Sequence, residues 1–255
     1  MSVSVGSRVS PGPPSRWLRT SGAGPAVELN VVCFPPAGGA AGSFAALRRA
    51  AGPETSVTAV LLPGREARIA EPHATDLHRL AATVAGELLP LLARDETPYV
   101  LLGHSLGGLL AYEVALGLDG LGARPPLTVV VAGTAAPRHA CWSAVASRRP
   151  DELLRLLGGV PQELLDMPQL LDLAVEVLRA DLAMVEGYRC SDGLLPAPLE
   201  VLYGSEDPLV DAAAVAGWAR LAGAGVAFEG LSGGHFFLDE HHPRLLAAWH
   251  EAAAR

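Results

Sequence analysis

The 255-residue sequence contains no lysine; all 19 of its basic residues are arginine. That excludes Schiff-base chemistry and any phosphate loop that depends on a lysine. Cysteine is scarce. Cys33, Cys141 and Cys190 are too few and too scattered for a disulfide framework or a zinc site, and they fit a reducing cytoplasm. Positive charge is in deficit: the formal net charge is −8, which argues against a nucleic-acid partner. The opening residues, MSVSVGSRVSPGPPSRWLR, have no apolar core of signal-peptide length. The longest charge-free stretch, Leu29 to Leu47, is broken by Pro35-Pro36 and Gly38-Gly39, so no membrane span is expected. A soluble cytoplasmic protein is the expectation.

Half of the residues are hydrophobic and only 18% are charged, which easily supplies a sizeable core. Residues 1–25 are rich in Ser, Gly and Pro and read as a flexible N-terminal arm, with Trp17 and Leu18 as possible points of attachment. The rest, 26–255, reads as one domain in which apolar runs of strand length alternate with helical patterns. Strands are expected at 27–34, 56–62, 98–103, 127–133, 198–204 and 226–231. Helices are expected after Gly42, over 75–93 with Thr75 as N-cap, over 106–118, around 209–222 and over 241–253. Continuous apolar strands between helices predict an α/β fold with a mostly parallel sheet covered on both faces. Between 138 and 190 the strand rhythm gives way to helical patterns alone, which predicts a helical lid insertion over the sheet edge.

Gly103-His104-Ser105-Leu106-Gly107 matches G-x-S-x-G. The bare pattern is weak evidence, but its context is that of a nucleophile elbow: a strand ends immediately before it and a helix starts immediately after. Ser105 is thereby set at a helix N-terminus, where free N–H groups favour negative charge. A serine hydroxyl needs a base, and on this type of fold the chain order is serine, acid, histidine. Of eight histidines, His235 alone follows a late strand in a Gly-rich loop, Ser232-Gly233-Gly234-His235. His241, His242 and His250 read as surface residues of the last helix, and the His104 ring should point away from Ser105. The acid is sought in Gly204-Ser205-Glu206-Asp207-Pro208, after the strand PLEVLY; Asp207 is favoured, with Glu206 and Asp211 as rivals or helix caps. The oxyanion donors expected are the backbone N–H of Leu106 and, because two prolines precede it and lack N–H groups, that of Ala37.

With these pieces located, the chain resembles the type II (external, editing) thioesterases that accompany polyketide synthases and nonribosomal peptide synthetases. The likeness runs from about Trp17 to Trp249. Phe34-Pro35-Pro36-Ala37-Gly38-Gly39 is similar to that family's F-P-x-A-G-G oxyanion loop, with Pro36 where His or Tyr is commoner. Leu62-Pro63-Gly64-Arg65 resembles its P-G-R segment. Leu178-Arg179-Ala180-Asp181 resembles the L-R-x-D segment of its lid, with Tyr188 downstream. Gly204 to Pro208 is similar to its acid loop, and Gly233-Gly234-His235-Phe236-Phe237 to its histidine loop.

The resemblance implies an α/β-hydrolase fold, assigns the acid role to Asp207, and implies hydrolysis of acyl groups from the 4′-phosphopantetheine arm of acyl or peptidyl carrier proteins, clearing stalled or mis-primed chains. No metal and no bound cofactor are required. Met167, Leu170, Leu171, Met184 and Val185 are lid residues expected either to face the acyl group or to pack the lid onto the body. Arg65, Arg68, Arg138, Arg148 and Arg149 are candidates for meeting an acidic carrier protein. Two alternatives share the fold and triad: a hydrolase of free acyl-CoA or small esters, and a stand-alone product-releasing thioesterase. A third is a non-catalytic carrier-binding protein, which an intact Ser105, Asp207 and His235 disfavours. Met1 and the lack of a fused carrier domain count against the product-releasing alternative, whose domains are usually fused to a synthase, and a monomer is expected.

Overall fold

The computed structural model describes residues 15–22, 24–94, 96–137, 139, 142, 145, 148–149, 152–153 and 167–255. Its centre is a seven-stranded sheet ordered β1-β3-β2-β4-β5-β6-β7: β1 (Leu18–Ser21), β2 (Leu29–Phe34), β3 (Thr55–Val60), β4 (Tyr99–His104), β5 (Thr128–Ala132), β6 (Leu199–Gly204) and β7 (Val226–Leu231). Every pairing is parallel except β1 with β3. β2 through β5 carry apolar side chains on both faces because both faces are covered. Along β2 the side chains alternate: Val32 and Phe34 enter one core, while Val31 and Cys33 enter the other. Against the first face pack α2 (Leu77–Leu92) and α3 (Leu106–Gly120); against the second pack α1 (Ala45–Ala50) and α6 (Leu238–Ala253).

Two helices complete the described set, α4 (Pro168–Gly187) and the four-residue α5 (Ala212–Val215), which continues as a 3₁₀ turn over Ala216–Leu221. The single helix expected around 209–222 is thus a short α-helix joined to a 3₁₀ segment. The last helix begins at Leu238 rather than 241, with Pro243 inside it, where the missing N–H removes the intrahelical bond to the Asp239 carbonyl. Asp76, not Thr75, caps α2, its carboxylate accepting the Arg79 N–H at 2.9 Å.

The expected flexible arm also needs correction. Residues 18–21 form an edge strand antiparallel to β3, and the Arg68 guanidinium lies 3.5 Å over the Trp17 ring. Residues 1–14 lie outside the described residues. At the opposite edge, β7 is largely exposed rather than covered, with Phe228 in solvent and Glu229 paired to Arg244 at 2.9 Å. Charge of this kind blunts an open edge against pairing with another chain. Of the expected lid, 138–190, α4 is described, and most of residues 138–166 lie outside the described residues.

Candidate active site

In an open α/β sheet, functional groups gather in the loops beyond the carboxyl ends of the parallel strands. Five such loops converge here, after β2, β4, β5, β6 and β7. Ser105 follows β4 directly and adopts φ 54°, ψ −121°, a conformation that strains any residue with a Cβ. The surroundings hold it there. The Ser105 N–H donates to the Ala132 carbonyl at 2.8 Å, and the Ser105 carbonyl accepts from Gly108 N–H and from the Thr134 hydroxyl, each at 2.9 Å. The glycines of the motif are demanded by close approach: a Cβ on Gly103 would lie 2.1 Å from the Gly107 carbonyl oxygen, and one on Gly107 would lie 2.0 Å from that of Phe34.

His235 sits in the loop after β7. Its Nδ1 lies 2.7 Å from Asp207 Oδ2, and both side chains are buried. The other Asp207 oxygen accepts the N–H groups of Leu209 at 2.9 Å and Val210 at 3.2 Å. A carboxylate accepts only, so Nδ1 carries the proton and the neutral ring keeps Nε2 free as a base. The rivals fall away on geometry. Glu206 is exposed, and Asp211 caps α5 by accepting the Ala214 N–H at 2.8 Å.

His104 is a residue that sequence reasoning undervalued. Its ring is buried beside His235, with centroids 5.0 Å apart, and its Nε2–H donates to the His235 carbonyl at 2.8 Å. Burial, and next the like charge of His235, push its pKa down to about 3. It therefore stays neutral and pins the histidine loop from behind. His242 is likewise buried rather than a surface residue; its side chain faces Asp239 at 3.5 Å.

Ser105 and His235 line one cavity with Pro36, Ala37, Leu106, Trp142, Leu178, Leu182, Val185 and Leu209. Its walls are almost wholly apolar, as a pocket for a hydrocarbon chain requires. The helix α4 thus presents Leu178, Leu182 and Val185, spaced one turn apart, to the cavity. Of the five lid residues expected either to face the acyl group or to pack the lid onto the body, Val185 alone lines the cavity. Met184 packs into the main core, Leu171 is half-buried outside the cavity, and Met167 and Leu170 are 53% and 45% exposed.

Two arginines expected at a carrier surface are also reassigned. Arg65 is buried in a two-pronged pair with Asp181 of α4, at 2.6 and 2.7 Å, and Arg68 is buried against Glu71, Trp17 and the Leu61 carbonyl. Arg148 and Arg149 are exposed, and Arg138 lies outside the described residues.

A profile of the thioesterase domain family matches residues 30–252, nearly the whole described body. The chain belongs to the thioesterase domain family. Among its relatives, the probable cadicidin biosynthesis thioesterase of Streptomyces griseus is 35% identical over 231 residues, covering 89% of this chain and 63% of that protein. The chain thus spans less than two thirds of that relative's length. Among solved structures it is similar to the RedJ thioesterase of the prodiginine biosynthetic pathway in Streptomyces coelicolor, at 33% identity and TM-score 0.75 over 89% of this chain and 87% of that one. It is similar also to the type II thioesterase BorB from the borrelidin biosynthetic cluster, at 28% identity and TM-score 0.76 over 95% and 98% of the two chains. No described helix is long and apolar enough to cross a membrane.

Proposed function

We propose that this chain is a serine thioesterase that hydrolyses acyl groups from the 4′-phosphopantetheine arm of acyl or peptidyl carrier proteins, in the manner of a type II editing enzyme. The observation that carries the reading is the convergence of Ser105 and His235 on one apolar cavity, with Asp207 bonded to His235, in a member of the thioesterase domain family. The likeness to BorB, the type II thioesterase from the borrelidin biosynthetic cluster, supports the editing role.

In this mechanism His235 Nε2 takes the Ser105 proton as the hydroxyl attacks the thioester carbonyl. The N–H groups of Ala37 and Leu106 receive the oxyanion. Among the described residues the Ala37 N–H has no backbone acceptor, and Leu106 is the first residue of α3, where a helix N–H has no intrahelical partner; both observations support this reading. The thiol leaves with the proton from His235. A water, deprotonated by the same nitrogen, then attacks the acyl-serine and releases the acid. Asp207 holds the tautomer and stabilises the imidazolium without itself taking the proton. The acyl chain lies against Leu178, Leu182 and Val185, so α4 is read as part of a lid. A cytoplasmic, monomeric enzyme belongs to the same reading.

The test is release of acetyl, propionyl and longer acyl groups from a phosphopantetheinylated carrier protein, wild type beside Ser105→Ala. Release should vanish in the variant and should exceed release from matching free thioesters. Equal rates on carrier-bound and free thioesters would replace the carrier-directed role with that of a general acyl-thioester hydrolase. Release that survives in the variant would remove Ser105 as nucleophile.

A further inference from the structure

The oxyanion loop and the lid helix share one buried ion pair. Asp181 of α4 and Arg65, which follows β3, are 2% and 6% exposed. Arg65 Nη2 donates to Asp181 Oδ1 at 2.6 Å and Nη1 donates to Oδ2 at 2.7 Å. Neither residue stops there. Asp181 Oδ2 also accepts the Gly38 N–H at 2.8 Å, and Arg65 Nη1 also donates to the Gly39 carbonyl at 3.0 Å. The pair therefore grips two peptide groups of the loop that carries Ala37, the one joining Ala37 to Gly38 and the one joining Gly39 to Ala40.

That loop is a tight turn. Gly39 N–H donates to the Pro36 carbonyl at 2.9 Å, and Gly38 at the third position has φ +73°, the left-handed value that a type II turn requires. In such a turn the peptide between the second and third residues can flip at modest cost, and flipping it exchanges types I and II. Here the flip is blocked, because Asp181 holds the N–H of that peptide, the one joining Ala37 to Gly38. The proline ring fixes φ on the other side at Pro36. With both neighbours fixed, the Ala37 N–H keeps one direction.

The pair is a poor device for stability alone. Burying two charges costs desolvation that the attraction rarely more than offsets, and Arg65 Nε is buried with no hydrogen-bond partner among the described residues. Apolar side chains of similar volume would fill the space with less desolvation. What they would lack is an acceptor for Gly38 and a donor for Gly39.

We infer that Asp181 and Arg65 are positioning residues that set the turn presenting the Ala37 N–H to the oxyanion, and that they tie this turn to the same face of α4 that lines the acyl cavity. The inference rests on the serine mechanism proposed above. It predicts a loss in transition-state binding with ground-state binding spared.

The decisive protein is the double variant Arg65→Met/Asp181→Leu, which removes both charges together and so avoids an unpaired buried ion; Asp181→Asn, which keeps an acceptor for Gly38, serves as the conservative rescue. Turnover of a soluble acyl thioester is measured per active site, counted by phosphonate labelling of Ser105. Affinity is measured for a trifluoromethyl ketone thioether, which forms a tetrahedral adduct with the serine, and for the matching thioether lacking the carbonyl.

In the double variant kcat should fall about 10–100-fold with KM within about 2-fold, a fraction of what loss of a whole oxyanion donor costs. Ketone affinity should fall by a similar factor, carbonyl-free thioether affinity should not change, and Asp181→Asn should recover part of the rate. Wild-type kcat in the double variant, or equal loss of affinity for both ligands, would overturn the inference while Ser105→Ala still abolishes turnover. Turnover that survives Ser105→Ala would remove the proposed function, and this inference with it.

Discussion

Asp207 divides its labour between its two oxygens: Oδ2 faces His235 and Oδ1 is taken by two backbone N–H groups of the following turn. The carboxylate is thus held in place before the imidazole is considered. Replacing it by asparagine preserves the shape but offers the ring an N–H instead of an acceptor. His235 would then turn its lone pair to Nδ1 and carry its proton on Nε2, where it cannot act as a base toward Ser105. Asp207→Asn should lower kcat on a soluble thioester about 10³–10⁴-fold, while Glu206→Gln, at an exposed neighbour, should leave it within about 2-fold. Comparable losses in both would return the acid role to an open question. At this scale the sequence carried the placement of Ser105, Asp207 and His235 because each lies in a short loop whose glycines and proline are themselves the signal. It did not carry His104 or Arg65, since what each touches is set by chain neighbours 131 and 116 positions away.

The helix α4 is anchored to the body at its end as well as through Asp181. Glu113, buried on α3, accepts the Tyr188 hydroxyl at 2.6 Å, the Ser191 hydroxyl at 2.7 Å and the Ser191 N–H at 3.1 Å. Burial and the carboxylate beside it hold the Tyr188 phenol well above its ordinary pKa, so it donates at any ordinary pH. Removing that donor leaves a buried carboxylate oxygen without its shortest bond, a cost of about 1–3 kcal/mol. Tyr188→Phe should therefore destabilise the protein by about that amount in urea unfolding, with the loss of amide hydrogen-exchange protection concentrated in the last two turns of α4. Uniform loss across α3 and α4 would mean that Glu113 supports the core at large rather than anchoring this helix. Strand and helix positions were legible from periodicity because burial on both faces imposes it. The acyl-facing side of α4 was not, because its stripes are apolar on more than one side: Met167 and Leu170 match Leu178 and Val185 in chemistry, and tertiary placement alone separates them.

Across the whole molecule, two histidines are buried where protonation has no room. His104 is held down to about 3 from its ordinary 6.5, by burial first and then by the like charge of His235. His242 is also lowered, by burial against the partial compensation of Asp239. Alternating strands and helices announced the sheet, but both histidines stand on elements the sequence made amphipathic or functional, so their burial followed only from the packing of α6 and the histidine loop against the second core. A histidine whose folded pKa lies below its unfolded one binds fewer protons in the native state. Its stabilising contribution is complete above about pH 6.5 and is lost as pH falls toward 3, at about 1.4 kcal/mol per pH unit for each proton taken up on unfolding. Glu200 works the other way, because burial raises its pKa and its contribution declines as pH rises above its ordinary 4.5. Glu200 therefore favours stability toward acid and opposes the histidines where it titrates, and two histidines kept neutral outweigh one carboxyl between about pH 6 and 5. Urea unfolding at pH 7.5, 6 and 5 should show stability falling with acid, and His104→Gln, which keeps a donor for the His235 carbonyl but cannot titrate, should flatten that slope by about one proton. An unchanged slope in the variant would mean that His104 is protonated in the native protein, and a charged ring beside His235 would then oppose the proton transfer that the hydrolytic mechanism requires.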